Sequence, residues 1–557
     1  MNTEEVQRRL WEQSKRHKAH RESSTPLFPI DSYAGRIRNL MDLMHQPDWL
    51  AKAADRVLRR SKGKAAGIDG VTVKTFQQGF QQKLECLRME LKRGSYQPQP
   101  VRQVMIPKSN GKMRALGIPC LRDKIVQEAM RMALEPIFEV EFHDNSYGFR
   151  PHRNTHQAVF RCQQYVRYKF AWVIEGDVKA CFDEISHKSI LKAVREKVMD
   201  NKFLQLIHRF LKAGSEMEGV VHPTHKGVPQ GGVLSPLLSN AVLNKFDWFM
   251  HSKGKHDQAM KRAHDLRQPN IRCIRYADDW CVFITRASKR VAQALREEIA
   301  TFLSRECGLQ LSTEKTRITH VQEGFDFLGF RIERSMGKRG RFVPKIKVTT
   351  KAVAQARVRL DQAMRYRPHQ ESVACRIQRA SAVIRGWSNY YCIAHNFSGY
   401  AGKLDHYAFW SAVKAVSRKL DISAAKVLSK YYRKSTILVD PTCRLIKFSD
   451  TKMKLDYHKP IPYEPGKAVY EDDHELEASF QYLEGHRQGQ ADLKWHILKR
   501  DQYQCCRCQR TVTAKTSQLD HIQPVHRFAR FEQANSPENL QTLCHACHCA
   551  KSRSEKA

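Results

Sequence analysis

The chain has 557 residues, and its 96 Lys and Arg against 57 Asp and Glu leave a formal net charge of +39. One hydrophobic core does not organise that length, so several folded units joined by polar connectors are expected. Like charge in such excess repels itself unless a polyanion offsets it, which points to a nucleic-acid phosphate backbone and away from a merely basic soluble surface. No stretch approaches the roughly 18 apolar residues of a membrane span. The start, MNTEEVQRRLWEQSKRHKAH, is charged where a secretory signal is apolar, and Glu4 and Glu5 do not suit an acid-poor mitochondrial presequence. A cytoplasmic protein with no membrane partner, associated with the nucleoid when on DNA, is therefore expected.

In chain order, residues 1–96 read as a polar helix, a loop (SSTPLFPIDS) and further helices with a basic connector (RRSKGKAAG). Residues 97–335 alternate short β-rich runs (VRQVMIP, FAWVIEGDV, IRCIRYADDWCVFIT) with helical ones (DKIVQEAMRMALEPIF), the pattern of an α+β enzyme core. The segment 336–434 is, from Lys351 to about Tyr432, helical, basic and aromatic. Residues 435–490 carry a Pro, Tyr and acid-rich stretch (KPIPYEPGKAVYEDDHELE) that reads as a linker, and 491–557 form a compact Cys/His-rich module. There is no internal repeat.

The run IRCIRYADDWCVFIT predicts a β-hairpin with Asp278 and Asp279 at its tip. Acids at a hairpin tip are usually structural, because their side chains bond the local backbone. Here, however, FAWVIEGDVKACFDEISH also sets Asp177 at the end of an apolar strand. A strand end beside a hairpin tip can bring the three carboxylates together. Held that close, they repel one another unless divalent cations lie between them, and paired Mg²⁺ ions are the device for nucleotidyl transfer.

In the last module Cys505-x-x-Cys508 and Cys544-x-x-Cys547 have the spacing of a tetrahedral structural zinc site, which a unit too small to bury much apolar surface needs. Cys506 and Cys549 are additional thiols able to substitute for a neighbour.

The blocks FAWVIEGDVKACFDEISH, KGVPQGGVLSPLLSN, YADD, LSTEKTRITHV and FDFLGF resemble, in order and spacing, the palm motifs of reverse transcriptases. The upstream block from Val104 to Pro151 is similar to the fingers of the bacterial group II intron subfamily. The resemblance implies a right-hand polymerase in which Asp177, Asp278 and Asp279 bind Mg²⁺. It also implies that Lys108 and Arg114 contact the incoming triphosphate, that Gln230 and Gly231 lie against the templating base pair, and that Lys315 lies near the nucleotide. Ala180 and Ala115 stand where the family more often has Gly and Pro.

Downstream, IRGWSNYY within a basic, aromatic stretch is similar to the maturase domain of group II intron proteins, which implies a thumb that grips template-primer duplex and binds intron RNA. Trp387, Tyr390 and Tyr391 have helical i, i+3, i+4 spacing and are expected to pack in a core rather than stack on bases. LDHIQPV…PENLQTLCHACHCAKS resembles the ββα-metal fold of HNH nucleases. That likeness implies His521 as general base, Asp520 and His548 as ligands of one Mg²⁺, and Asn539 as the residue fixing the loop that orients His521. A zinc ribbon that binds DNA without cutting it would need the cysteines but has no use for DHI, NL and CH at these intervals.

The whole resembles a group II intron-encoded protein that binds its intron RNA, assists splicing, nicks double-stranded target DNA and uses dNTPs to make cDNA from the new end. Residues 435–484 are expected to contribute target-DNA binding. A splicing cofactor with a decayed polymerase would not need Asp177 and YADD. A defence-type or diversity-generating reverse transcriptase would lack both the maturase-like segment and the HNH module.

Overall fold

A computed structural model describes residues 2–23, 36–61, 65–107, 113–167, 170–254, 269–285, 287–312, 316–337, 340–365, 373–433, 436–440, 443–455, 460, 462–465, 497–513, 516–523 and 536–554. The chain divides into two compact units, Met1–Gly466 and Lys467–Ala557, and the division falls inside the segment 435–490 read as a connector. Among the described residues no helix is long and apolar enough to cross a membrane.

The first unit opens with helices α1 (Thr3–Ser23), α2 (Pro47–Arg60) and α3 (Phe80–Arg93). Helix α4 (Leu121–Glu139) is apolar around most of its circumference, so it is buried on nearly every face, with α1 and α2 packed on it. It follows strands β1 (Val101–Pro107) and β2 (Met113–Ile118), which pair antiparallel. Next come α5 (Thr155–Arg167), β3 (Phe170–Asp177), α6 (His187–Arg195), α7 (Asn201–Lys212), β4 (Ser215–Met217), β5 (Val220–His222) and α8 (Ser235–Ser252). After them run β6 (Ile271–Tyr276), β7 (Asp279–Thr285), α9 (Lys289–Phe302), β8 (Arg317–His320), β9 (Phe325–Phe327), β10 (Phe330–Met336) and β11 (Phe342–Val348). The helices α10 (Thr350–Arg365), α11 (Val373–Tyr391) and α12 (Phe397–Leu420) follow, with a shorter helix at Ala424–Tyr431.

These strands form sheets in the orders β2-β1-β4-β5, β6-β7-β3-β8 and β11-β10-β9, and short strands at Tyr432–Arg433, Thr436–Asp440 and Cys443–Arg444 add a further small one. The second, antiparallel throughout, is apolar on both faces because its strands alternate between two cores. Ile174, Trp280, Val282 and Ile284 enter one core with the helices of the N-terminal half. Phe170, Val173, Cys281 and Phe283 enter the other, which continues into α10–α12. Both faces are thus occupied, which leaves the strand ends as the place for polar chemistry.

Trp387 is buried, tilted against Tyr391 and stacked on Phe397, while Tyr390 stacks on Phe330 and donates a hydrogen bond to the Leu328 carbonyl at 2.8 Å. These three aromatics pack as a core, as their spacing predicts.

In the second unit β12 (Ser517–His521) pairs antiparallel with β13 (Leu540–Cys544), and α13 (His545–Ser554) follows directly, a ββα arrangement. Leu498, Cys505, Val512, Leu543 and Cys544 cluster as its small core, and Ile497 and Leu540 are also buried.

Ala180 caps the turn after β3 in the left-handed region at φ 45°. An L-residue with a Cβ pays for that conformation and glycine does not. Ala180→Gly should therefore stabilise the first unit by about 0.5–1 kcal/mol, once glycine's greater unfolded-state entropy is set against the relieved strain. Its thermal or denaturant unfolding midpoint would rise, and a fall would show that the turn is not strained.

Candidate functional site

Antiparallel pairing of β3 with β7 sets Gly176 opposite Trp280 and Asp177 opposite Asp279. The first of these pairs fixes the second. The Trp280 indole lies directly over Gly176, where a Cβ would come within 2.1 Å of the ring, so only glycine lets the strands close in this register. Strands β6 and β7 pair from Tyr276–Asp279 outward, leaving Ala277 and Asp278 as a two-residue turn, with Ala277 at φ 58°. This is the hairpin expected from the sequence. Directly opposed residues in an antiparallel pair share a face with Cα atoms roughly 4.5–5.5 Å apart. Asp177 and Asp279 are therefore neighbours across the ladder, with Asp278 one residue away at the tip.

A buried thiol senses the same convergence. Cys181 is pushed well above the ordinary thiol range by burial first, and then by the negative charges of Asp278 and Asp177. Among the described residues the one group of three or more such side chains whose ligand atoms all lie within 4.8 Å of one another is a set of four cysteines, so backbone register is what gathers the three aspartates. An all-carboxylate donor set concentrating negative charge fits a hard divalent cation such as Mg²⁺.

The turn rests on a buried polar layer that the motif reading missed. Arg275 is fully buried and forms a two-point ion pair with Asp247 of α8, Nε–Oδ1 2.8 Å and Nη2–Oδ2 2.6 Å. It also donates to Asn240 Oδ1, Ser146 Oγ and the Ala277 carbonyl, each at 2.8 Å. Residues 145–147 run beside β6, with Arg275 N donating to Asn145 O and Tyr147 N to Arg275 O, both at 2.9 Å. Gly148 then lies so close that a Cβ there would fall 2.3 Å from the Ala277 nitrogen.

The PQGG segment is stitched between two of these elements. Gly117 N of β2 donates to Gln230 O at 2.7 Å, and the Gln230 side chain donates to the Asp183 carboxylate at 3.2 Å. Gly231, at φ 111°, lies against the Gly117 carbonyl, where a Cβ would be 2.2 Å away. The buried Gln127 accepts from Val233 N at 2.8 Å and holds the loop's far end. Arg114 is exposed on β2, three residues before Gly117. Lys108 and Lys315 lie outside the described residues, as does most of 435–490.

Between α10, α11 and α12 lies a groove of about 850 Å³ lined by Arg365, Arg376, Lys414 and Arg418 together with Tyr407 and the exposed Trp410. Cations around an exposed aromatic suit phosphate and base contacts.

In the second unit the sulfurs of Cys505, Cys508, Cys544 and Cys547 lie within 4.8 Å of one another. Burial opposes ionisation of Cys505, yet the backbone N–H groups of Cys544, Cys508 and Arg507 bring it down to about 6. Cys547, hydrogen-bonded to Cys544 and Cys508, is pushed up to about 12, because sulfurs already carrying charge resist another. Thiolates so gathered fit a dication, and the tetrahedral all-sulfur set is that of structural zinc. Cys506 turns to Asp501 instead, Sγ–Oδ2 3.3 Å, and the side chain of Cys549 is outside the described set.

Asp520, nearly buried, lies 3.8 Å from His548 Nε2. It also accepts from Gln541 Nε2 at 2.9 Å and from Lys551 Nζ at 2.6 Å. Lys551 reaches on to the His521 carbonyl, so a cation that sequence reasoning passed over bridges two of the expected nuclease residues. Asn539 makes a reciprocal pair with the backbone of Gln523, accepting at 2.8 Å and donating at 3.1 Å, and its carbonyl accepts from Ile522 N at 2.7 Å.

Three family models match the chain. They are Reverse transcriptase (RNA-dependent DNA polymerase) over residues 106–332, Group II intron, maturase-specific domain over 355–432, and HNH endonuclease over 505–554. Protein YkfC of Escherichia coli K12 is 43% identical, with the match spanning 55% of this chain and 85% of that protein. Group II intron-encoded protein LtrA of Lactococcus lactis subsp. cremoris is 30% identical, over 66% of this chain and 73% of its own length. The putative COX1/OXI3 intron 1 protein of Saccharomyces cerevisiae is 27% identical, over 88% of this chain and 65% of that one.

Full-length protein from zinc-replete cells should carry zinc, and Cys508→Ser or Cys544→Ser should release it. Residues 497–554 would then become sensitive to proteolysis while primer extension is unaffected. Wild-type zinc content in both variants would remove these cysteines from the ligand set.

Proposed function

The chain belongs to the family of group II intron-encoded proteins, and from that premise we propose how its residues divide the work of intron mobility. It is an RNA-directed DNA polymerase joined to a maturase domain and an HNH endonuclease domain. In the proposed pathway the protein binds its intron RNA and assists its splicing. The ribonucleoprotein then engages double-stranded target DNA in the cytoplasm, the HNH domain nicks one strand, and the polymerase copies the intron RNA from the new 3′ end.

One observation carries the polymerase assignment: the β3–β7 register that pairs Asp177 with Asp279 beside the turn bearing Asp278. Mg²⁺ at these carboxylates would supply a lowered pKa for the primer hydroxyl and charge neutralisation for the departing pyrophosphate. Asp177, Asp278 and Asp279 are thus the proposed metal ligands. Gln230 and Gly231, held on Gly117 and Asp183, offer a rigid, side-chain-poor surface for the templating base pair. Arg114, with Lys108 and Lys315, is proposed to neutralise the triphosphate. The small Ala277 side chain leaves room beneath the primer terminus. The basic groove of α10–α12 favours intron RNA or template-primer duplex as its ligand, recognised through phosphates and shape.

In the nuclease, His521 is proposed to take the proton from the attacking water, since imidazole titrates near working pH. Asn539 orients it by tying residues 522 and 523 to the end of β13's lead-in turn. The adjacency of Asp520 and His548 supports their role as ligands of a single Mg²⁺.

Asp278→Asn should abolish cDNA synthesis in primer extension while intron RNA binding and splicing stay near wild type. Parallel loss of both would mean that the residue serves the fold instead. His521→Ala should stop DNA nicking without slowing extension of a supplied primer, and an unchanged nicking rate would remove His521 from the reaction.

A further inference from the structure

Arg275 immediately precedes YADD, and none of the roles above uses it. A guanidinium has five N–H donors in a fixed fork. All five of Arg275's are matched by acceptors at 2.6–2.8 Å: both Asp247 oxygens, Asn240 Oδ1, Ser146 Oγ and the Ala277 carbonyl. The last of these is the carbonyl of the peptide bond leading into Asp278, so the orientation of that peptide plane is set by Arg275. Asn240 extends the layer, because its Nδ2 donates to Gly148 O at 2.8 Å and Gly148 packs against the Ala277 nitrogen. Ala277 itself is held at φ 58°, a conformation a residue with a Cβ rarely adopts unless its surroundings over-determine it.

Stability alone does not account for this arrangement. A buried ion pair pays heavily for desolvation, and well-packed apolar residues of similar volume often serve a fold as well or better. What apolar residues cannot do is aim a carbonyl. We propose that Arg275 is a positioning residue for the catalytic turn: anchored by Asp247 and Asn240, it fixes the Ala277–Asp278 peptide so that the carboxylates of Asp278 and Asp279 meet Asp177 in a metal-binding geometry. This rests on the polymerase reading above and adds to it the device that holds the acids in place.

The device requires arginine in particular. Lysine in its place could neutralise Asp247 but has no fork with which to reach Asn240, Ser146 and the Ala277 carbonyl together.

The test compares the full-length wild-type protein with Arg275→Lys and with the apolar double variant Arg275→Met/Asp247→Leu. Four quantities are measured: melting temperature, kcat and dNTP KM in primer extension, and Mn²⁺ affinity by electron paramagnetic resonance. Both variants should fold, with kcat reduced about 100-fold because the acids are misplaced. Mn²⁺ binding should weaken about 10-fold, as when a group orienting a metal ligand is removed. The KM for dNTP, which depends on the basic residues, should change much less. A folded variant of either kind with wild-type kcat and Mn²⁺ affinity would overturn the proposal. So would failure of both to fold, which would make the pair a folding requirement only. If the wild-type protein itself makes no cDNA, the polymerase reading fails; an active wild type with equally active variants defeats the positioning role alone.

Discussion

The proposed polymerase site depends on the register in which β3 lies along β7. Side chains alternate faces along a strand, so a slip of one residue would send Asp177 to the opposite face from Asp279 and exchange the two cores beneath and above the sheet. Two features oppose such a slip. The apolar residues of β7 divide strictly between the cores, Trp280, Val282 and Ile284 into one and Cys281 and Phe283 into the other. The Trp280 ring also occupies the space over Gly176, where no other residue would fit. Carboxylates that repel one another are held at neighbouring positions by hydrophobic burial they take no part in.

Charge is handled differently in the interior. Arg275 and Asp247, Arg150 and Glu139 are pairs buried together in the first unit, and each guanidinium also donates to backbone carbonyls of the 143–148 segment or the hairpin turn. Ions are retained at that depth only with close partners and satisfied hydrogen bonds. Around these pairs the chain adopts unusual backbone at Phe149, His152 and Ala277, so local strain and buried charge occur in the same place.

Much of this was legible in the sequence. Alternating apolar runs flanking DD predict the hairpin, and the i, i+3, i+4 aromatics of α11 predict a core. The CxxC pairs predict the sulfur cluster that the four cysteines form. What escaped was polar and non-local. Arg275 shares the face of Ile271 and Cys273 by simple alternation, and a cation on an inward face demands an acid. Its partner Asp247, however, lies on a distant helix with no spacing rule to reveal it. Lys551 is equally hidden, because one lysine near a chain terminus looks like solubility until β12 brings Asp520 beneath it. Trp410 and Trp387 lie in one aromatic-rich stretch, yet one is exposed and the other buried; composition does not separate them, since the groove exists only after three helices assemble.

The two units are fastened by different materials. The larger is held by extensive carbon packing, whereas the smaller has, among its described residues, five buried apolar side chains and four converging cysteines to hold two strands and a helix. Oxidants act on sulfur and chelators on a metal it holds, and both leave hydrocarbon packing untouched. Under oxidation or metal starvation the smaller unit would thus be the first to loosen, while the larger keeps its packing.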